Sequence, residues 1–458
     1  MSATAPSDSA YLMERLRSNG SAPAIAWKGE CIDNDQLADL VASHIVFLNE
    51  SGIVAGTPVA LVADYSPECT ALLLALIQQR AIIAPLLPAT IAHSPDLMEL
   101  VDPKFVLRIG DDGMAQVERR EPGMANELFR TLMAQELCGL VLFTSGSTGQ
   151  PKGVVHDFAR LLEKFRKPRA AMVTLNFLLF DHWGGLNTLL HCLSSGSLVV
   201  LPEKRSPEYI CELIDRHNIE LLPTTPTFLN LLLLSRAFEK HDMSSLRLIT
   251  YGAETMPKPT LEGTRKAFPN VEMRQTYGMI ELGVLRAKSR DSESLWVKIG
   301  GEGYHVRVVE GLLQIKAESA MLGYINAPSP FTEDGYLMTG DRVEVDGEYL
   351  RILGRDADII NVGGEKVFPT EVEAVLLECP EVEDATVFGE ANPITGQIVC
   401  AEIKLGMEKP EKEARAIIKR HCRARLQPFK VPVRILFSDE KLFSDRLKRI
   451  RRRPAAAP

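Results

Sequence analysis

The chain has 458 residues, 45% of them hydrophobic, and a formal net charge of -8. Single hydrophobic cores stop growing at roughly 250–300 residues, so this length implies at least two domains. The acidic balance excludes a general attraction to nucleic acid or to an anionic membrane, the one strongly basic stretch being RLKRIRRRP at 446–454.

The opening MSATAPSDSAYLMERLRSNG has neither the basic start nor the apolar run of a secretory signal. No apolar run reaches the ~20 residues of a membrane span. The eight cysteines show no CxxC spacing, which suits reduced thiols. The expectation is a cytoplasmic protein with no membrane span and no nucleic-acid partner.

From residue 10 to about 300, β-rich runs alternate with helical patterns. TPVALVAD (57–64) precedes PECTALLLALIQQ, GSLVVLP (196–202) precedes SPEYICELIDRHN, and LRLITYGA (246–253) precedes a helix from Lys258. This rhythm predicts an α/β fold with parallel-rich sheets covered by helices and ligands at the carboxyl ends of the strands. From about 301 short strands and turns take over, with Asp346-Gly347 as a hairpin signal. After Gly354 a small α+β unit is expected, with helices near Thr370–Glu378 and Lys409–Arg425 and β-runs at 384–390, 397–405 and near Val433. The domains are expected at 1–354 and 355–458.

VLFTSGSTGQPKG (141–153) has the composition of a phosphate-binding loop but not the GxxxxGK[ST] spacing of a Walker loop. It offers the hydroxyls of Thr144, Ser145, Ser147 and Thr148, backbone N–H groups at Gly146 and Gly149, and the cation Lys152. These are three different kinds of phosphate ligand.

The string TSGSTGQPKG resembles the signature loop of the adenylate-forming enzymes, the superfamily of acyl-CoA synthetases, peptide-synthetase adenylation domains and luciferases. Further segments follow in the family order: TYGAE (250–254), QTYGMIE (275–281), GYLMTGD (335–341) and GRDADIINVGGEKVFPTEVE (354–373). The resemblance implies a large ATP- and acid-binding domain followed by a small mobile one. It also implies a reaction in which a carboxylate attacks the α-phosphorus of ATP to give an acyl-adenylate and pyrophosphate.

Carried over residue by residue, the resemblance gives the loop hydroxyls and Lys152 the β- and γ-phosphates. Gly252, Ala253 and Glu254 fall in the adenine-contact strand, and Tyr277 supplies an aromatic plane for adenine. Glu281 is the expected Mg²⁺ ligand, Asp341 accepts the ribose hydroxyls and Arg355 donates to them. The catalytic cation is expected at Lys448, although Leu447 replaces the usual glycine and Lys441 is nearby. Gly363 and Gly364 match the glycine pair lining the tunnel for a pantetheine thiol, where only residues without Cβ allow a close approach. Two departures stand out: Ile280 replaces the hydroxyl residue of the YGxTE pattern, and Ala357 occupies the usual Asp or Lys hinge position.

The segment LLFDHWGGLNTLL (178–190) bears on the acid. His182-Trp183-Gly184-Gly185 matches the HxxG arrangement of fatty and aryl acid ligases, whereas Phe180-Asp181 matches the ammonium-binding Asp of amino-acid adenylation domains. Gly252, Gly278 and Leu282 are expected to bear on pocket depth. The thiol acceptor is either coenzyme A or the phosphopantetheine of a carrier protein. The resulting expectation is an AMP-forming acid–thiol ligase for a simple carboxylic acid. A stand-alone amino-acid adenylating enzyme and a catalytically impaired nucleotide-binding homologue are the competing readings.

Overall fold

The computed structural model describes residues 9–110, 113–121, 123, 126–145, 151–406, 409–440 and 442–443. Three helices of the large domain start from the same local signal. Ser66, Ser206 and Thr225 each cap a helix whose first residue is proline, their side chains accepting from Cys69, Tyr209 and Phe228 N–H groups. The side-chain oxygen satisfies an otherwise orphaned N–H, and proline at the first position lacks an N–H to orphan. The helix Pro67–Gln78 is apolar on all sides, and every residue from Cys69 to Ile77 is buried. Such a helix belongs inside a core rather than on a surface.

Two seven-stranded sheets organise the first 280 residues, one of them completed by the later strand Gly323–Tyr324. In one, Glu272–Gln275, Leu248–Tyr251, Leu221–Thr224, Thr174–Leu175, Val199–Leu201 and Pro23–Trp27 run parallel, with Glu30–Asp33 antiparallel at the edge. In the other, Gly139–Ser145, Ile82–Leu86, Pro58–Val62 and Phe105–Ile109 are parallel, flanked by antiparallel strands that include Pro151–Asp157. A third, antiparallel sheet of six strands spans 287–355. Its Leu337–Asp346 and Tyr349–Arg355 form the hairpin expected at Asp346-Gly347, with Gly347 at φ 60°.

The small unit has its own core, in which Ile360, Val372, Leu376, Val387, Ala401 and Ile418 are buried together. Helix Pro369–Leu377, strands Val382–Asn392 and Gly396–Leu405, helix Glu411–Arg423 and strand Arg434–Phe437 follow in the expected order. The cut placed at 354/355 falls on the last residues of the strand Tyr349–Arg355, which pairs within the third sheet. No helix among the described residues is long and apolar enough to cross a membrane. All eight cysteines are free, and only Cys31 is exposed.

Candidate active site

Register builds the site. Thr224, Tyr251 and Gln275 are the terminal residues of three adjacent parallel strands and lie in one row. The segments that follow, Thr225, Gly252–Glu254 and Thr276–Glu281, therefore emerge side by side at the carboxyl edge of the sheet, where open α/β folds bind ligands. Backbones approach closely there: a Cβ on Gly252 would lie 2.4 Å from Thr276 Oγ1, and one on Gly278 would lie 2.8 Å from the Gly283 carbonyl. Glu254 folds back onto helix Pro226–Ser235, accepting from Thr227 Oγ1 at 2.6 Å and Thr227 N at 3.3 Å.

These edges line a cavity of about 1050 Å³ whose walls come from both units. Thr144 and Lys152 face it from one side; they are direct cross-strand partners on Gly139–Ser145 and Pro151–Asp157. Lys152 Nζ lies 5.3 Å from the centre of the Tyr324 ring. Phe368, Pro369, Thr370 and Glu373 of the small unit also line it, as do Ala357 and Asp358. Of the proposed phosphate loop, Gly146, Ser147, Thr148 and Gly149 lie outside the described residues, as does the Ser145 side chain.

The segment carrying Glu281 is pinned from several directions. Tyr324 donates its hydroxyl to Glu281 Oε1 at 2.7 Å, Met321 N donates to the Glu281 carbonyl at 2.8 Å, and Ser319 Oγ donates to the Leu282 carbonyl at 2.7 Å. Burial and the adjacent Glu281 push the Tyr324 phenol upward, so it stays protonated and donates. His156 Nε2 lies 2.7 Å from the Ile280 carbonyl, and burial pushes the imidazole down to about 4. The neutral ring therefore carries its proton on Nε2, because a carbonyl only accepts. Ile280 is thus anchored through its backbone carbonyl.

Asp341 is 8% exposed and doubly engaged. Tyr277 donates its hydroxyl to Oδ2 at 2.6 Å, and Arg355 Nε lies 2.9 Å from Oδ1. Burial raises the Asp341 carboxyl above its ordinary range, with Arg355 and Tyr277 opposing. Burial works against the Arg355 charge too, but Asp341, Tyr277 and Glu281 outweigh it. The Tyr277 phenol is driven well above its usual value by burial and then by Asp341, which keeps it a donor.

A second chamber of about 110 Å³ adjoins the first, and His182, Ala253, Thr276, Gly278, Met279 and Ile280 border both. His182 caps helix Trp183–Ser195 by accepting from Gly184 N at 3.3 Å. Trp183 and Gly278 line the chamber as expected, whereas Leu282 is fully buried and does not. Asp181 is not among the residues lining it; Thr90 Oγ1 donates to its Oδ2 at 2.6 Å. The buried Asp181, expected at the acid, thus has one carboxylate oxygen engaged by helix Pro88–His93.

Gly363 and Gly364, the expected tunnel pair, border neither cavity in this arrangement. They form the two-residue turn between paired Val362 and Glu365, with φ of 59° and 93°. Positive φ at both central positions is what a type I′ hairpin demands, and that requirement accounts for glycine here. Lys448 lies outside the described residues. Sequence reasoning missed Tyr324 and His156, whose contacts with the Glu281 segment span 43 and 124 positions.

The two-domain architecture, with a nucleotide-sized cavity between the domains, is that of adenylate-forming enzymes. The solved structure of the anthranilate CoA ligase AuaEII in complex with anthranoyl-AMP superposes with a TM-score of 0.81 at 20% identity, covering 96% of this chain and 95% of that one. ATP-bound MatB from Rhodopseudomonas palustris gives 0.77 at 22% identity, with 95% and 96% covered. Residues 12–313 match the AMP-binding enzyme family, and 371–444 match the AMP-binding enzyme C-terminal domain. The chain belongs to the AMP-binding enzyme family. It is 27% identical to an indoleacetate–CoA ligase of Aromatoleum aromaticum over 88% of this chain and 89% of that protein. It is also 27% identical to a 2-succinylbenzoate–CoA ligase of Bacillus cereus, with 94% of each covered.

Proposed function

We propose that the protein is an ATP-dependent ligase that activates a small carboxylic acid as its acyl-adenylate and transfers the acyl group to the thiol of coenzyme A. The observation that carries this reading is the junction of the two chambers. His182, Gly278 and Ile280 border both, so a carboxylate at the mouth of the small chamber faces the cavity that holds Glu281, Lys152 and Asp341.

In the first half-reaction a carboxylate oxygen bonds to the α-phosphorus while the bond to the pyrophosphate oxygen breaks. In the second the thiol sulfur bonds to the acyl carbon and AMP leaves. Such chemistry asks the protein for positioning and charge neutralisation. Lys152 balances charge on the departing pyrophosphate, and Asp341 accepts the ribose hydroxyls in place of its present partners. Gly252–Glu254 and Tyr277 flank the adenine. Lys448 reaches the α-phosphate from the small domain; Phe443, shortly before it in the chain, packs against a core cluster of the large domain.

No group of three or more His, Cys, Asp or Glu side chains among the described residues forms a protein-only metal cage. The buried carboxylate of Glu281 instead fits Mg²⁺, which is held by one or two carboxylates together with substrate phosphates. The ion would offset charge on the phosphates during transfer.

The test is acid-dependent AMP release with ATP and Mg²⁺, using aryl, fatty and amino acids with and without coenzyme A. Release with formation of an acyl-CoA is the expected result. Pyrophosphate exchange without thioester would move the acceptor to a carrier protein, and no release with any acid would leave a nucleotide-binding homologue.

A further inference from the structure

Among the described residues eight other than glycine take a positive φ, and seven of them sit where the chain geometry calls for it. Arg80, Asp102, Glu136, Asn218 and Arg236 lie at the carboxyl ends of helices, and Lys28 and Glu310 lie in hairpin turns. Ala253, at φ 67°, does neither: it follows the strand Leu248–Tyr251, and the next helix begins only at Lys258. It is exposed, and alone of the eight it borders both cavities. A residue with a Cβ disfavours this conformation, so it persists only where its surroundings hold it.

Both flanks of Ala253 are held. Gly252 packs so closely on Thr276 that a Cβ there would lie 2.8 Å from the Thr276 carbonyl oxygen. On the other side the Glu254 carboxylate accepts from Thr227 Oγ1 at 2.6 Å and from Thr227 N at 3.3 Å. Thr227 is the second residue of helix Pro226–Ser235, whose first residue has no N–H and whose third is capped by Thr225. Glu254 thus takes the remaining free donor of that helix end, where the helix dipole also favours a negative charge. Thr227, Ala253 and Glu254 all line the large cavity.

Building on the ligase reading, we infer that Thr227 is a positioning residue for the nucleotide: by holding Glu254 it keeps the left-handed turn at Ala253, so that ATP meets a surface already in its bound shape. A surface fixed beforehand needs no ordering when the ligand arrives, and affinity gains accordingly. The groups assigned to the phosphates and the metal lie on other segments, so the effect falls on nucleotide binding rather than on the chemical step.

The experiment measures MgATP affinity by calorimetry, and acid-dependent AMP release, for Thr227→Val, Thr227→Ala, Thr227→Ser, Glu254→Ala and the Thr227→Val/Glu254→Ala double variant. Melting without nucleotide checks that each variant folds, and Thr227→Ala removes the hydroxyl without adding a methyl should the valine disturb packing. Loss of the hydroxyl is expected to weaken MgATP by at least about tenfold, the scale of one hydrogen bond to a charged group, and to raise KM for ATP with kcat changed less than a few-fold. Thr227→Ser should keep the parental affinity. Because Thr227 acts through Glu254, adding Thr227→Val to Glu254→Ala should weaken binding little further. Parental affinity in Thr227→Val and Thr227→Ala would overturn the inference. So would an equal loss from Thr227→Val with and without Glu254, since the threonine would then act on the nucleotide by itself. A parent protein that binds MgATP yet releases no AMP with any acid would overturn the ligase, while the affinities of the variants would still decide this inference.

Discussion

Tyr324 holds Oε1 of Glu281 at 2.7 Å, and the same phenol ring lies under the ammonium of Lys152 at 5.3 Å. One side chain thus contacts both the proposed metal ligand and the proposed phosphate cation. Tyr324→Phe keeps the ring and removes the hydroxyl. Hydrogen bonds to charged groups contribute about 1.5–3 kcal/mol, so kcat/KM for MgATP should fall by about 10–150-fold. A Mg²⁺ titration of AMP release checks this; an unchanged Mg²⁺ dependence would mean that Glu281 needs no such support.

Asp341 predicts an acid limb in nucleotide binding. Its raised carboxyl protonates at higher pH than an ordinary aspartate, and once protonated it accepts the ribose hydroxyls poorly. The KM for ATP should therefore rise as pH falls, beginning above the usual carboxylate range. Arg355 opposes that protonation, so Arg355→Gln should move the limb to still higher pH. Superimposable KM profiles for the two proteins would sink the idea.

His156 links pH to stability. Burial holds it near 4, against 6.5 for a free imidazole, so between those values the unfolded chain binds the proton and the folded one does not. Stability should fall as pH drops through that window, by up to about 3 kcal/mol. His156→Gln keeps an N–H donor for the Ile280 carbonyl but does not titrate, and its unfolding midpoint should depend less on pH from 6.5 to 4. Equal slopes would place the acid sensitivity elsewhere.

Lys448→Ala should slow acyl-adenylate formation by about 100–1,000-fold, the scale of losing one charge stabiliser of a transition state. Thioester formation from supplied acyl-adenylate should stay within a few-fold of the parent. Equal loss of both half-reactions would assign the lysine to neither step alone.

The fold was legible because its signals are local. Ser-Pro and Thr-Pro pairs start helices, and apolar runs such as VALV and VVL mark buried strands. Glu281, Asp341 and Lys152 were readable from ordered motifs, and register brings them to one cavity. What was not readable depends on orientation. Asp181 stands beside His182 in sequence, yet its carboxylate meets Thr90, 91 positions away. Gly363-Gly364 permits either a close approach or a left-handed turn, and only backbone angles show that a turn is formed here. Tyr324 and His156 carry no motif, because their roles exist only once distant strands bring them to the Glu281 segment.

The pairing of Asp341 with Arg355 has a mechanical side. Both residues sit in the hairpin of the third sheet, where Asp341 is the direct partner of Arg355 and Arg342 that of Gly354. The short 3-10 turn Asp356–Asp358 comes immediately after, with Ala357 at its centre. Any swivel of the small domain at that turn pivots downstream of the guanidinium. The proposed ribose-binding pair belongs to the stator rather than the rotor, so a nucleotide held there would stay clamped while the small-domain part of the cavity lining is exchanged.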